Sequence, residues 1–269
     1  MANLKRKNHF LPDCYQKGFA DASSKVWVKF ADKPQPEHRN PLSVGRKSSL
    51  YIVKRNGIED DRVEDFFNNV VEAPFAPLPR RIKKEQNQFA SITGEEWAAL
   101  CGFVALQAVR TPAHKRCIEE QVGSPLDTNA FVTMIARQAL AIMEEWNRNL
   151  RQLHFYTSLP HVGEQFITGD SPVVVIQMNN NPIWVPTSTP KLKTTELAQI
   201  LNDPNHEFWI SLSPYICVSV RGPAWGEPRL PPETVDPQFV RFLNGRVREQ
   251  GSIFSLARDK ASLAESLRP

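Results

Sequence analysis

Three short stretches hold residue types that could do chemistry. In NHFLPDCYQKGF, residues 8–19, His9 can take or release a proton near neutral pH, and the Tyr15 phenol can donate to a phosphate or a carbonyl. Pro12 and Gly18 would shape the backbone that carries Asn8, His9 and Tyr15. The plainer reading of His9 is a structural histidine with its hydrogen bonds satisfied. In the second stretch Arg110 closes the apolar run AALCGFVALQAV and stands before Thr111-Pro112. Its planar fork suits a phosphate or carboxylate at a cleft edge, or an internal ion pair with Glu72, Glu144 or Glu145. His114 is four residues further on and shares a face with Arg110 only if one helix runs through Pro112. The third stretch is FITGDSPVVV, residues 166–175. There Asp170 and Ser171 stand between two apolar segments, placed for metal or hydrogen-bond work or simply for an Asx or Ser turn.

Familiar catalytic patterns are missing. Ser171 is not in a G-x-S-x-G elbow, and the chain has no H-E-x-x-H, no G-x-G-x-x-G and no phosphate loop ending in G-K-[ST]. Cys14, Cys101, Cys117 and Cys217 form no C-x-x-C pair, which argues against a structural zinc or a disulfide framework and fits a reducing, cytoplasmic setting. The formal net charge of +4 is too small to indicate nucleic acid by itself. Lys5, Arg6 and Lys7, and then Arg80, Arg81, Lys83 and Lys84, are two basic clusters that could touch phosphate, although a solvated face is the commoner use. The run at 98–109 is too short to cross a bilayer and reads as a buried helix, and no apolar signal core follows the charged start, so no membrane insertion is expected.

The elements that must position these residues follow from periodicity. KVWVKF, residues 25–30, alternates like a strand, and SLYIVKR, 49–55, reads as a second, with Asn56-Gly57 turning into a helix over about 60–72 that Pro74 disrupts. Thr93 and Glu96 form a capping box before the central helix, which Thr111-Pro112 ends or bends. A long helix is expected from Asp127 to about His154, with Phe131, Ile135, Ala139, Ile142, Trp146, Leu150 and Leu153 on its stripe. Short strands are expected at 165–170, 172–177 and 183–186, a small helix at 194–201, and an antiparallel pair at 206–213 and 215–220. A last helix begins near Asp236-Pro237. Strands, then helices, then strands argue an α+β fold, a central helical region packed with N-terminal strands and a C-terminal, mostly antiparallel sheet. The expected division is one domain over 1–256 and a peripheral tail over 257–269.

Taken together, these segments resemble the prokaryotic domain of unknown function 4238. That family opens with an Asn-His-x-x-Pro-x-x-Tyr-Leu-x-x-Phe segment, matched at Asn8 to Phe19 with Gln16 in place of leucine. Its early glutamate matches Glu72, its Arg-Thr-Pro matches 110–112, and its Phe-Ile-Thr-Ser-Asp-Asn-Pro-Val looks like FITGDSPV at 166–173. Asn244 matches an asparagine of its last helix. The resemblance spans about residues 5–250 and implies a bacterial setting, with a role in conflict or mobile-element biology.

Two functions compete on this reading. One is a divalent-metal-assisted nuclease acting on RNA or DNA. Glu72 and Asp170 would hold Mg²⁺ or Mn²⁺, and His9, Arg110 and Asp170 would be the catalytic set. Asn8, Tyr15, Arg80, Arg81 and Ser171 would bind substrate, and a protein activator or a second copy of the chain could assist. The other is a non-catalytic binding or regulatory protein in which the same polar residues form a buried structural network.

Overall fold

The computed structural model describes residues 7–55, 58–84, 93–148, 152–157, 163–177, 206–221 and 233–265. The expected strand at 183–186 and the small helix at 194–201 lie outside the described residues. The helices are α1 (Asp13–Gln16), α2 (Arg62–Phe66), α3 (Ala73–Phe75), α4 (Leu78–Lys84), α5 (Gly94–Val109), α6 (Pro112–Val122), α7 (Thr128–Arg148), α8 (Pro237–Gln250) and α9 (Lys260–Glu265). A π-helical turn, Phe67–Glu72, joins α2 to α3. The strands are β1 (Lys7–His9), β2 (Val26–Phe30), β3 (Glu37–Arg39), β4 (Arg46–Ser48), β5 (Val53–Arg55), β6 (Ile58–Asp60), β7 (Gln152–Thr157), β8 (Thr168–Gly169), β9 (Val173–Gln177), β10 (His206–Ser213), β11 (Ile216–Arg221), β12 (Glu233–Thr234) and β13 (Phe254–Ala257).

Helices α2–α7 form a central helical region between N-terminal and C-terminal strands, the expected α+β arrangement. The larger sheet runs β12-β7-β11-β10-β9 and is antiparallel except where β12 joins β7. Both of its faces are covered. Val173, Val175, Phe208, Ile210, Val218 and Val220 join the main core, which also holds the apolar residues of α5 and α7. Val174, Ile176, Trp209 and Cys217 pack with Val240, Leu243 and Val247 of α8. Successive side chains of a strand point to opposite faces, so a strand between two layers buries every position. All eight residues of β10 are buried, which is why HEFWISLS is apolar at so many positions in both alternations.

The second sheet, β3-β2-β13-β8, ties the two ends of the chain together. β13 runs between β2 near the N-terminus and β8 of the FITGDSP stretch. Residues 257–265 therefore include the end of a central strand and α9, and Ala257 and Leu263 are buried.

Local chemistry sets the helix ends. Thr93 Oγ1 accepts from Glu96 N at 3.2 Å while Glu96 Oε2 accepts from Thr93 N at 3.0 Å, the reciprocal cap that starts α5. Arg110 ends α5, Thr111 caps α6 through the His114 amide, and Pro112 occupies the first turn, where its missing N–H costs nothing. Two expectations change. Asn56-Gly57 does not lead directly into a helix. β5 pairs antiparallel with β6, since backbone pairing tolerates the acidic Glu59 and Asp60, and α2 begins only at Arg62. Asn129 of α7 docks this hairpin, accepting from Lys54 N at 2.8 Å and donating to Lys54 O at 2.7 Å. The long helix is described to Arg148, and Leu153 belongs to β7, where the partner strand β11 decides its conformation instead of the helical stripe.

Candidate functional site

Arg110 is wholly buried at the end of α5. Its Nη1 donates to Glu72 Oε1 at 2.6 Å and its Nε to Phe10 O at 3.1 Å. Gln107, one residue short of a helical turn before it, is also fully buried. With its amide oriented to satisfy both ends, Gln107 accepts from Arg110 Nε and Nη2 at 2.8 and 3.0 Å and donates to Phe10 O at 3.2 Å. Burial works against the guanidinium charge, yet Glu72 holds its pKa above the ordinary value. Glu72 reaches it from the last position of the π-helical turn, a wide and rare geometry that often marks a functional or strained site. Arg110 is thus the internal ion pair of the sequence alternatives, and Glu72 is the partner.

The N-terminal segment wraps this pair. His9 is partly buried, and burial lowers its pKa against the pull of the Leu42 carbonyl, Asp13 and Glu72. Its Nε2 is enclosed without a hydrogen-bond partner. Asn8 is completely buried, and its Oδ1 accepts from Tyr51 N at 3.3 Å. Tyr15 sits among Phe19, Phe75 and Phe103, donates to Ser211 O at 2.6 Å and meets Thr168 Oγ1 at 2.7 Å. The contact with Thr168 ties the N-terminal segment to the FITGDSP stretch. Gln16 compensates for the missing leucine with two bonds, donating from Nε2 to Leu11 O at 2.7 Å and Val44 O at 3.0 Å.

Asp170 occupies the turn where the chain passes from β8 in one sheet to β9 in the other. Its carboxylate is inaccessible to solvent. It accepts from the backbone N–H groups of Ser252, Ile253 and Phe254 at 3.1, 3.2 and 3.1 Å, and from Ser252 Oγ at 3.1 Å. Gly169 and Gly251 permit this approach. A Cβ on Gly169 would lie 2.7 Å from Phe254 O, and one on Gly251 would lie 2.9 Å from Asp170 Oδ1. Asn244 secures the adjoining strand from α8, accepting from Ile167 N at 2.9 Å and donating to Gln165 O at 2.8 Å.

Of the expected catalytic residues, the fold brings His9 and Arg110 to Glu72, the expected metal ligand, and none of the hydrogen bonds of Asp170 reaches these three. Glu72 and Asp170 do not fit a shared Mg²⁺ or Mn²⁺ site. Asp170 is filled by N–H and O–H donors and Glu72 is engaged by a guanidinium. Among the described residues no group of three or more His, Cys, Asp or Glu side chains is arranged to hold a metal ion. The expected substrate binders are also dispersed. Arg80 is exposed and Arg81 pairs with Glu96 at 2.8 Å on α5. Arg110 and His114 do not share a helix face, because Thr111-Pro112 divides them between α5 and α6.

Ser171 is the exception that reaches open space. With Thr111, His114, Cys117, Val173 and Ser252 it lines a cavity of 360 Å³ between α6 and the 251–252 turn. His114 and Ser252 carry no catalytic motif in the sequence, and only the meeting of the Thr111-Pro112 and Asp170 turns exposes them to one space. Among the described residues, no helix is long and apolar enough to cross a membrane.

The family model described as "Protein of unknown function (DUF4238)" matches residues 7–258, and the chain belongs to that family. Searches of curated proteins and of solved structures found no match.

Proposed function

We propose that this DUF4238 protein is a non-catalytic binding or regulatory protein whose signature residues form its internal framework. The observation that carries this reading is where their hydrogen bonds end. Asn8, Tyr15, Arg110, Asp170 and Asn244 all bond to the protein's own backbone, across sequence separations of up to 196 residues. A buried network with its partners in place can specify one arrangement of elements without any reaction. A catalytic carboxylate needs lone pairs left for substrate, metal or water, and Asp170 directs its own at three amides and a hydroxyl.

The test is a cleavage assay of the purified chain on single-stranded and duplex RNA and DNA, with Mg²⁺, Mn²⁺ or chelator. The expected result is no turnover above a buffer control. Metal-dependent cleavage that disappears in Asp170→Asn, with an unchanged unfolding midpoint, would restore the nuclease reading.

A further inference from the structure

Two polar side chains that line the cavity beside Ser171, those of His114 and of Ser171 itself, have hydrogen-bonding capacity that no partner among the described residues takes up. His114 is 5 % exposed, and its Nε2 meets Gln138 Oε1 at 2.9 Å. With that carbonyl oxygen as acceptor, Nε2 carries the ring proton and Nδ1 keeps a lone pair. Among the described residues Nδ1 has no hydrogen-bond partner, and it is not sealed in the interior as the Nε2 of His9 is. His114 is one of the residues that line the cavity. Burial lowers the pKa of the ring, so it is uncharged at neutral pH. Ser171 also lines the cavity, and its hydroxyl has no hydrogen-bond partner among the described residues.

The remaining lining selects against ions. Ala108 and Val173 are apolar. Arg116 donates one hydrogen bond from Nη2 to Ser252 Oγ, and Glu249 accepts from Arg246 Nη1 at 2.6 Å. Arg116, Glu120 and Glu249 are exposed, so the lining charges belong to the solvated mouth. An ionic group pushed against a neutral imidazole and alanine would lose its hydration without a counter-charge. A volume of 360 Å³ lies near the lower end, about 300 Å³, of small-molecule sites, which suits one or two rings.

We propose that this cavity binds an uncharged one- or two-ring heterocycle that donates an N–H to His114 Nδ1 and exchanges a hydrogen bond with Ser171 Oγ. The inference rests on the binding reading above and names its ligand class. Gln138 acts as a positioning residue, holding the imidazole in the tautomer that accepts.

The experiment uses the full chain labelled with ¹⁵N-histidine, titrated with adenine and uracil as uncharged N–H donors and with benzoate as an anionic control. At least one of the two bases should bind saturably and move the His114 Nδ1 resonance toward that of a hydrogen-bonded acceptor, while the Nε2–H tautomer persists. Ser171→Ala breaks no protein hydrogen bond, so it should fold normally and weaken that binding by about tenfold, the value of one lost hydrogen bond. Absence of binding by both bases, an unmoved Nδ1 on binding, or tighter binding of benzoate would overturn the proposal. Metal-dependent cleavage of nucleic acid would remove the non-catalytic reading without altering this titration. A flat titration with no cleavage would remove only the ligand.

Discussion

Arg110 and Asp170 are both withdrawn from solvent, but the first is balanced by a second charge and the second is surrounded by neutral donors. The Arg110 pair is asymmetric. Its guanidinium side chain is fully buried, whereas Glu72 keeps 16 % of its side chain exposed. The Asp170 arrangement joins one carboxylate to three consecutive amides, so it fixes a backbone path and not merely a charge. A pair of side chains can be exchanged for another pair that fills the same space. A turn that has been folded around one carboxylate has no such second solution.

The largest effect should come from breaking the pair at its more exposed member. Glu72→Leu strands a buried cation that cannot shed its proton, at a cost of about 4 kcal/mol in urea unfolding. Arg110→Met should cost less, about 3 kcal/mol, because the remaining carboxylate reaches water. The double variant should recover most of either loss, and additive losses would break the comparison.

Asp170→Ala comes next, at about 3 kcal/mol by the same measurement, because three amides lose a charged acceptor. Water can enter beside the exposed Ser252, which limits the loss. Asp170→Asn should recover only part of it, since one end of the amide presents donors to donors. If Asp170→Asn matched wild type, the carboxylate would not be organising the turn.

The smallest effect concerns the histidines beside the two charges. Burial is the main cause that lowers the pKa of both His9 and His114 from 6.5. The unfolded chain therefore binds these protons first, and the contribution to stability is complete above about pH 6.5 and declines as pH falls toward the folded values. The melting temperature should drop between pH 7.5 and 5.5, and His114→Gln should narrow that drop. A profile of unchanged slope in the variant would show that His114 is not held neutral.

Much of the framework was legible from local pattern. The Thr93–Glu96 cap, the break at Thr111-Pro112, and the β10–β11 pair each depend on neighbours within a few residues or on a strong apolar run. The end of α7 was not legible that way. Leu150 and Leu153 continue a helical stripe on paper, and only pairing with β11 makes 152–157 a strand. The tertiary environment prevails because a buried segment gains more from completing a sheet than from one more turn of helix.

The same division holds for the polar residues. Their types and spacing singled out Asn8, His9, Tyr15, Glu72, Arg110 and Asp170 as groups that need partners, because a buried polar atom without one is costly. The sequence also supplied Glu72 among three alternatives for Arg110. Which partner each residue takes is a property of three-dimensional distance. Residues 252–254 have no motif of their own, yet the order β2-β13-β8 brings their amides to Asp170, 82–84 positions away. His114 and Ser171 came to face one cavity for the same reason. The chain's local chemistry determined which groups had to be satisfied, and the tertiary packing of helices and sheets decided which partners they took and that His114 and Ser171 line one cavity.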